Sequence, residues 1–209
     1  MEFDAIVLAG GRSSRMGSAK SALLFEGRPL VELAVEAARD ARTVVVVGPD
    51  ELAPAGVLTA RESPALGGPA AALVAGLERL DGLEWLDGAP APWLLVLACD
   101  LPRAGDAVRA LLRAASPHTR GGCEAVVAVD DSGRRQPLLA VYRTDALVRA
   151  AASARSSGDL AGLPLRRLVD GLDTVEVTVH DALCADVDTP EQARSFGIDV
   201  PRAAGAALI

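Results

Sequence analysis

Phe3-Asp4-Ala5-Ile6-Val7-Leu8-Ala9-Gly10-Gly11-Arg12-Ser13-Ser14-Arg15-Met16-Gly17 decides the fold. The first six residues are apolar apart from Asp4, too continuous for a half-exposed strand, and the run predicts a strand buried on both faces. Glycines follow at its carboxyl end, where open α/β sheets collect their ligands. There they let the backbone approach a ligand and turn N–H groups toward an anion. Arg12, Arg15 and Lys20 add three cations within nine positions. A Gly-Gly pair alone would suit an ordinary βα turn with a solvated basic edge. With interleaved cations and Gly17, the stretch predicts a triphosphate site. Its spacing is neither G-x-G-x-x-G nor G-x-x-x-x-G-K-[ST], which disfavours dinucleotide and P-loop sites.

Outward from that strand, further apolar runs of strand length occupy 44–47, 93–98, 125–129, 138–142 and 174–179. Ala-, Leu-, Arg- and Glu-rich stretches at 31–39, 69–80, 106–115, 144–154 and 189–196 have helical composition. The alternation predicts an α/β fold with βαβ crossovers and a doubly wound, mostly parallel sheet. Segments 54–56, 82–92 and 116–122 carry turn chemistry, and none is long enough for a confident linker. The expectation is one domain over 1–200 and a frayed tail over 201–209, with no internal repeat.

Composition narrows the function. The 209 residues carry 21 Lys and Arg against 28 Asp and Glu, a net charge of −7, and aromatics make up 3%. That argues against a basic groove or stacking platform for nucleic acid. No apolar run approaches the ~18 residues of a membrane span, and Glu2 and Asp4 spoil a basic signal-peptide start, so a cytoplasmic protein is expected. Cys99, Cys123 and Cys184 are odd in number and lack C-x-x-C spacing. They read as small core hydrophobes. The two histidines, His118 and His180, exclude a histidine-rich metal site and read as loop residues. Trp85 and Trp93 suit core packing or a dimer contact better than cofactor stacking.

Three further segments carry candidate chemistry. Asp100 ends the run Trp93-Leu94-Leu95-Val96-Leu97-Ala98-Cys99. A carboxylate at a buried strand end is costly unless paired or metal-bound, and Mg²⁺ suits it, taking one or two carboxylates and completing its shell with water and phosphate. A simple cap before Pro102 is the alternative. In Asp186-Val187-Asp188-Thr189-Pro190, Thr189 as N-cap and Pro190 as first helical residue make a helix start, which leaves the two acids unexplained. Gly67-Gly68-Pro69 predicts a helix N-terminus open to an anion or base edge, or else a structural turn. Arg134, Arg135 and Arg143 suit either bidentate phosphate binding or solvated positions flanking an edge strand.

Leu8 through Leu30 resembles the opening signature of the molybdenum cofactor nucleotidyltransferases, L-A-G-G-x-S-x-R-M-G-x-D-K, with Leu23-Leu24, Gly27 and Pro29-Leu30 following. Ala19 stands where that signature has Asp. The resemblance continues through Cys99-Asp100-Leu101-Pro102, Asp186 to Glu191, Gly68-Pro69-Ala70-Ala71-Ala72 and Gln136-Pro137-Leu138. In those runs Ala72 replaces a glycine, Gln136 a frequent histidine and Asp188 an asparagine. It implies a Rossmann-like nucleotidyltransferase domain. Leu8, Ala9, Gly10, Gly11, Arg15 and Lys20 would hold the nucleotide and its phosphates, Glu62 would stand by the sugar, and Gly68 and Pro69 by the base. Asp100 and Asp188 would hold Mg²⁺; Arg15, Lys20 and Asp100 would be catalytic, and Arg134, Arg135 and Arg143 would take a second substrate.

The activity implied is guanylyl transfer from GTP to the phosphate of molybdopterin with release of pyrophosphate, with handover contacts to other cofactor-maturation proteins. A phosphate monoester is largely ionised at pH 7 and attacks without a general base. The work left to the protein is alignment and charge neutralisation. A cytidylyl-transferring relative, a sugar- or alcohol-phosphate nucleotidyltransferase and a non-catalytic nucleotide- or pterin-binding module remain the alternatives. Ala19, Ala72 and Gln136 favour the last.

Overall fold

The computed structural model describes residues 1–10, 23–83, 90–116, 122–158, 160–187 and 189–198. Seven strands form one twisted sheet: β1 (Phe3–Leu8), β4 (Val44–Val47), β5 (Leu58–Ala60), β6 (Trp93–Ala98), β7 (Ala125–Val129), β8 (Arg135–Arg143) and β9 (Thr174–Thr178), in the order β5-β4-β1-β6-β8-β7-β9. The pairs β1–β4, β1–β6, β4–β5 and β7–β9 are parallel, while β8 runs antiparallel to both β6 and β7. A small hairpin of β2 (Leu24–Phe25) and β3 (Arg28–Pro29) stands apart from this sheet.

The central strands β1 and β6 are buried along their whole length, and alternation divides them between two cores. Phe3, Ala5, Val7, Trp93, Leu95 and Leu97 face a core shared with Val31 and Ala34 of α1 (Leu30–Ala37) and with Ala107, Val108 and Leu111 of α3 (Gly105–Ala114). Ile6, Leu8, Leu94 and Val96 face the other, with α2 (Pro69–Asp81), α4 (Thr144–Ser156) and α5 (Leu165–Leu168). Helices on both faces explain why these strands read as unbroken apolar runs. Asp4 is the exception inside β1. It accepts from the Arg42 guanidinium through both carboxylate oxygens and from the Ala91 amide at 2.7 Å, as a buried carboxylate requires.

Two short helices, α6 (Asp181–Cys184) and α7 (Pro190–Ser195), close the described chain. Thr189 caps α7 in a reciprocal capping box with Gln192, and Pro190 holds the first turn, as the sequence predicts. His180 lies in the loop before α6, as expected, and caps that helix, its Nδ1 accepting from the Ala182 amide. No helix among the described residues is long and apolar enough to cross a membrane. The predicted tail 201–209 lies outside the described residues.

Candidate active site

Because β1, β4, β5, β6, β7 and β9 point the same way, their carboxyl ends share one rim. Backbone hydrogen bonds continue the sheet past the strand ends: Ala9 N donates to Val47 O at 2.9 Å and Cys99 N to Leu8 O at 3.0 Å. Ala9–Gly10 and Cys99–Asp100 are thereby fixed side by side. Gly48 backs the same peptide, since a Cβ there would lie 3.1 Å from the Ala9 carbonyl carbon and 3.3 Å from Gly10 N. Any side chain at 48 would press on that peptide.

Glu62 follows β5 and reaches across to Gly10. Its two carboxylate oxygens lie 3.6 and 3.8 Å from where a Gly10 Cβ would stand, and one of them accepts from the Leu66 amide at 3.2 Å. Glu62 therefore braces the loop 62–66 and lies beside the end of β1. Leu66 sits in the left-handed region at φ 61°, and Gly68 at φ 89° turns the chain into α2. The glycine at the N-cap and Pro69 behind it leave that helix start without a side-chain cap, an arrangement open to an anion or a polar edge. Gly162 N donates to Gly67 O at 2.7 Å, bracing the loop from behind. Ala72 is buried in the core beneath the loop, so its methyl packs against apolar neighbours and not into the rim.

Asp100 stands half-buried at the end of β6, and its carbonyl accepts from Val187 N at 3.1 Å. That bond brings the chain just ahead of Asp188 onto the rim. Gly11, Arg12, Arg15, Lys20 and Asp188 themselves lie outside the described residues.

The three arginines do not stay together. β8 spans the sheet, with Leu97 opposite Leu139 and Trp93 opposite Arg143. Arg135 is accordingly at the rim and Arg143 at the far end, its guanidinium 5.2 Å from the Trp93 ring centroid and 4.0 Å from Asp145. This antiparallel register corrects the grouping of Arg143 with Arg134 and Arg135. It also corrects the edge-strand alternative, because β8 lies between β6 and β7. Arg135 pairs with Glu176 at 2.6 Å. Arg134 lies at the end of the turn between β7 and β8, its carbonyl accepting from Asp130 N at 3.1 Å. Asp130 organises that turn, accepting from the Ser132 hydroxyl and amide, the Arg134 amide and Gln136 Nε2. These bonds, the Ser132 hydroxyl first, hold its carboxyl below the usual range. Gln136, where a histidine is frequent in the resembling segment, is thus spent on Asp130.

The cysteines remain core residues. Burial pushes the Cys184 thiol up, helped by the nearby Asp130 and Asp181 charges. Cys99 is buried beside Asp100. Gly48, the Glu62–Gly10 contact and the Gly162 brace were missed in the sequence, where Gly48 after four valines was the available signal.

The fold is that of a nucleotidyltransferase domain. The MobA-like NTP transferase domain family model matches residues 5–175, and the chain belongs to that family, a family of nucleotidyltransferase enzymes. It is 35% identical to the molybdenum cofactor guanylyltransferase of Xanthomonas euvesicatoria pv. vesicatoria over 193 residues, covering 90% of each chain. A probable molybdenum cofactor guanylyltransferase of Synechococcus elongatus is 32% identical, over 68% of this chain and 73% of its own length. Among solved structures, the molybdopterin-guanine dinucleotide biosynthesis protein A of Archaeoglobus fulgidus shares the fold at TM-score 0.68 and 20% identity, covering 93% of this chain and 96% of its own. The 2-C-methyl-D-erythritol 4-phosphate cytidylyltransferase of Thermus thermophilus shares it at TM-score 0.65 and 21% identity, covering 94% and 97%.

Proposed function

We propose that the chain transfers the guanylyl group of GTP to the phosphate of molybdopterin, with Mg²⁺ held by Asp100 and Asp188. The observation that carries this reading is the placement of Asp100 on the same rim as Gly10 and Glu62, with Val187 bonded to its carbonyl. The name of the 35% identical relative supports the choice of guanylyl group and molybdenum cofactor.

The donor set suits a hard cation that shares its shell with substrate. Asp100 offers carboxylate oxygens at a half-buried strand end, and among the described residues no three acid, His or Cys side chains gather as an all-protein cage. One or two carboxylates plus phosphate and water oxygens is the Mg²⁺ pattern. When bound, the ion supplies charge neutralisation across the transferring and leaving phosphates.

The chain's own groups do the rest. Leu8, Ala9, Gly10 and Gly11 present backbone to the nucleotide, Glu62 takes the ribose hydroxyls, and Gly68 and Pro69 open the α2 start to the base. Arg15 and Lys20 stabilise the phosphate charge. An oxygen of the molybdopterin phosphate forms the new bond to the α-phosphorus of GTP. The bond from that phosphorus to the bridging oxygen breaks, and pyrophosphate departs with the electron pair. The attacking phosphate is already largely ionised near neutral pH, so no side chain need remove a proton. Arg134 and Arg135 flank the acceptor side of the rim.

The test is pyrophosphate release with each of GTP, CTP, ATP and UTP, in the presence of molybdopterin and Mg²⁺. Release with GTP above the others is expected. Preference for CTP would make it a cytidylyltransferase, and retained pterin binding with no release from any nucleotide would make it a binding module.

A further inference from the structure

Three segments that carry the proposed site meet again behind it. The hairpin β2–β3 follows segment 11–22, Arg103 follows Asp100 by three positions, and α7 follows Asp188. Leu23, Phe25 and Leu30 from the first segment pack with Val187, Ala193 and Ile198 from the last, in a small core separate from the two that line the sheet. The Phe25 and Phe196 rings meet edge to face, centroids 6.2 Å apart at 78°. Over both lies the Arg103 guanidinium, its central carbon 5.5 Å from the Phe25 centroid and 5.6 Å from that of Phe196.

We propose that Arg103 is a positioning residue for the nucleotide and metal site, clamping the hairpin and α7 to the loop that carries Asp100. Leu101 and Pro102 are buried, so the short link from Asp100 to Arg103 is held at both sides and transmits position. Val187 has a foot in each structure: its side chain is fully buried in the small core, and its amide bonds the Asp100 carbonyl. The guanidinium faces two aromatic rings at once, a geometry in which a cation is attracted by each quadrupole. Arg103 thus fixes the distance between the Asp100 carboxylate and the chain on either side of it. A rim whose chemistry is alignment depends on that distance.

This inference rests on the reading of the rim as a nucleotidyltransferase site, and two kinds of measurement separate the two. Hydrogen exchange reads the clamp whether or not the protein turns over. In Arg103→Ala the amides of 23–30 and 190–198 should exchange roughly tenfold faster, as loss of two exposed cation–π contacts implies, while those of β1 and β6 stay as in the parent. The Mg²⁺ concentration for half-maximal nucleotide binding should rise by about the same factor, and pyrophosphate release should slow with it. Arg103→Lys should restore most of each effect. Arg103→Met, with a similar apolar stem and no charge, should not. Equal rescue by Lys and Met, or exchange in Arg103→Ala equal to the parent, overturns the clamp. No release by the parent with any nucleotide overturns the activity reading and leaves the exchange result to decide the clamp.

Discussion

Asp100 and Asp188 carry the same charge, yet their places in the sequence assign them unequal roles. Asp100 ends a central strand, and its neighbours Cys99 and Leu101 are buried, so its carboxylate has little freedom to be replaced by another group. Asp188 precedes a capped helix at a position where the resembling run carries Asn, which keeps one oxygen donor without the charge. Asp100→Asn should therefore lower pyrophosphate release by about 10²-fold or more, the range expected when a metal's charge stabilisation is weakened. Asp188→Asn should stay within about tenfold, and equal, large losses would refute the ranking. Asp130 makes a different prediction, about stability. Hydrogen bonds from Ser132, Arg134 and Gln136 depress its folded carboxyl below the unfolded value. The stabilisation is consequently present at neutral pH and lost as pH falls through that depressed value, below the ordinary carboxylate of about 4. Urea midpoints of Asp130→Ala and the parent should differ at pH 7, and the difference should shrink as the pH falls through that depressed value.

At the scale of elements, α2 is held against β1 by a position where a methyl does not fit. A Cβ on Gly76 would stand 2.7 Å from Ile6 Cδ1 and 2.9 Å from Cγ2. Alanine gains up to ~1 kcal/mol of helix propensity there, but overpacking costs about 1–3 kcal/mol. Gly76→Ala should end about 1–2 kcal/mol less stable, measured as a lower urea midpoint with unchanged slope. Burial of this kind also decides what could be read from the residues. β1, β4, β6 and β7 have the predicted bounds because both their faces are buried, so the apolar run and the strand coincide. β8 begins three residues earlier than its apolar run, since Arg135-Gln136-Pro137 is polar rim. The register there shifts between Val127 and Ala128, which leaves Pro137 outside the regular ladder. Its reversed direction follows from the Asp130 to Arg134 turn, too short to cross over. The hairpin β2–β3 was missed because Glu26, at φ 51°, occupies a turn position that asparagine or aspartate usually signals. On the rim, Gly10 and Asp100 are legible because glycine and acid at strand ends are chemically unusual. Glu62 meets Gly10 only because β4 and β5 add outward from β1, a neighbour relation no local pattern encodes.

Across the whole molecule, the net charge of −7 and the proposed triphosphate site are compatible because the cations are local. The acidic surface disfavours a long polyanion, which must be neutralised over many phosphates, and leaves a single nucleotide to a few groups on one rim. That rim draws on residue 10 near the start of the described chain, residues 62 and 100 from its middle and residue 187 near its end. A ligand engaging all of them opposes unfolding of the entire chain and not of one loop, so its affinity should appear as global stability. GTP with Mg²⁺ at about 100 times its dissociation constant should add ~2.7 kcal/mol, raising the melting temperature by roughly 5–10 °C for a chain of this length. In Asp100→Asn the Mg²⁺-dependent part of the rise should vanish while any nucleotide-only part remains, and duplex DNA at the same phosphate concentration should give none. A melting temperature that stays level across a hundredfold range of each nucleotide, with Mg²⁺ present, would remove the triphosphate from this rim, because no binding to the folded state can leave the unfolding equilibrium unmoved.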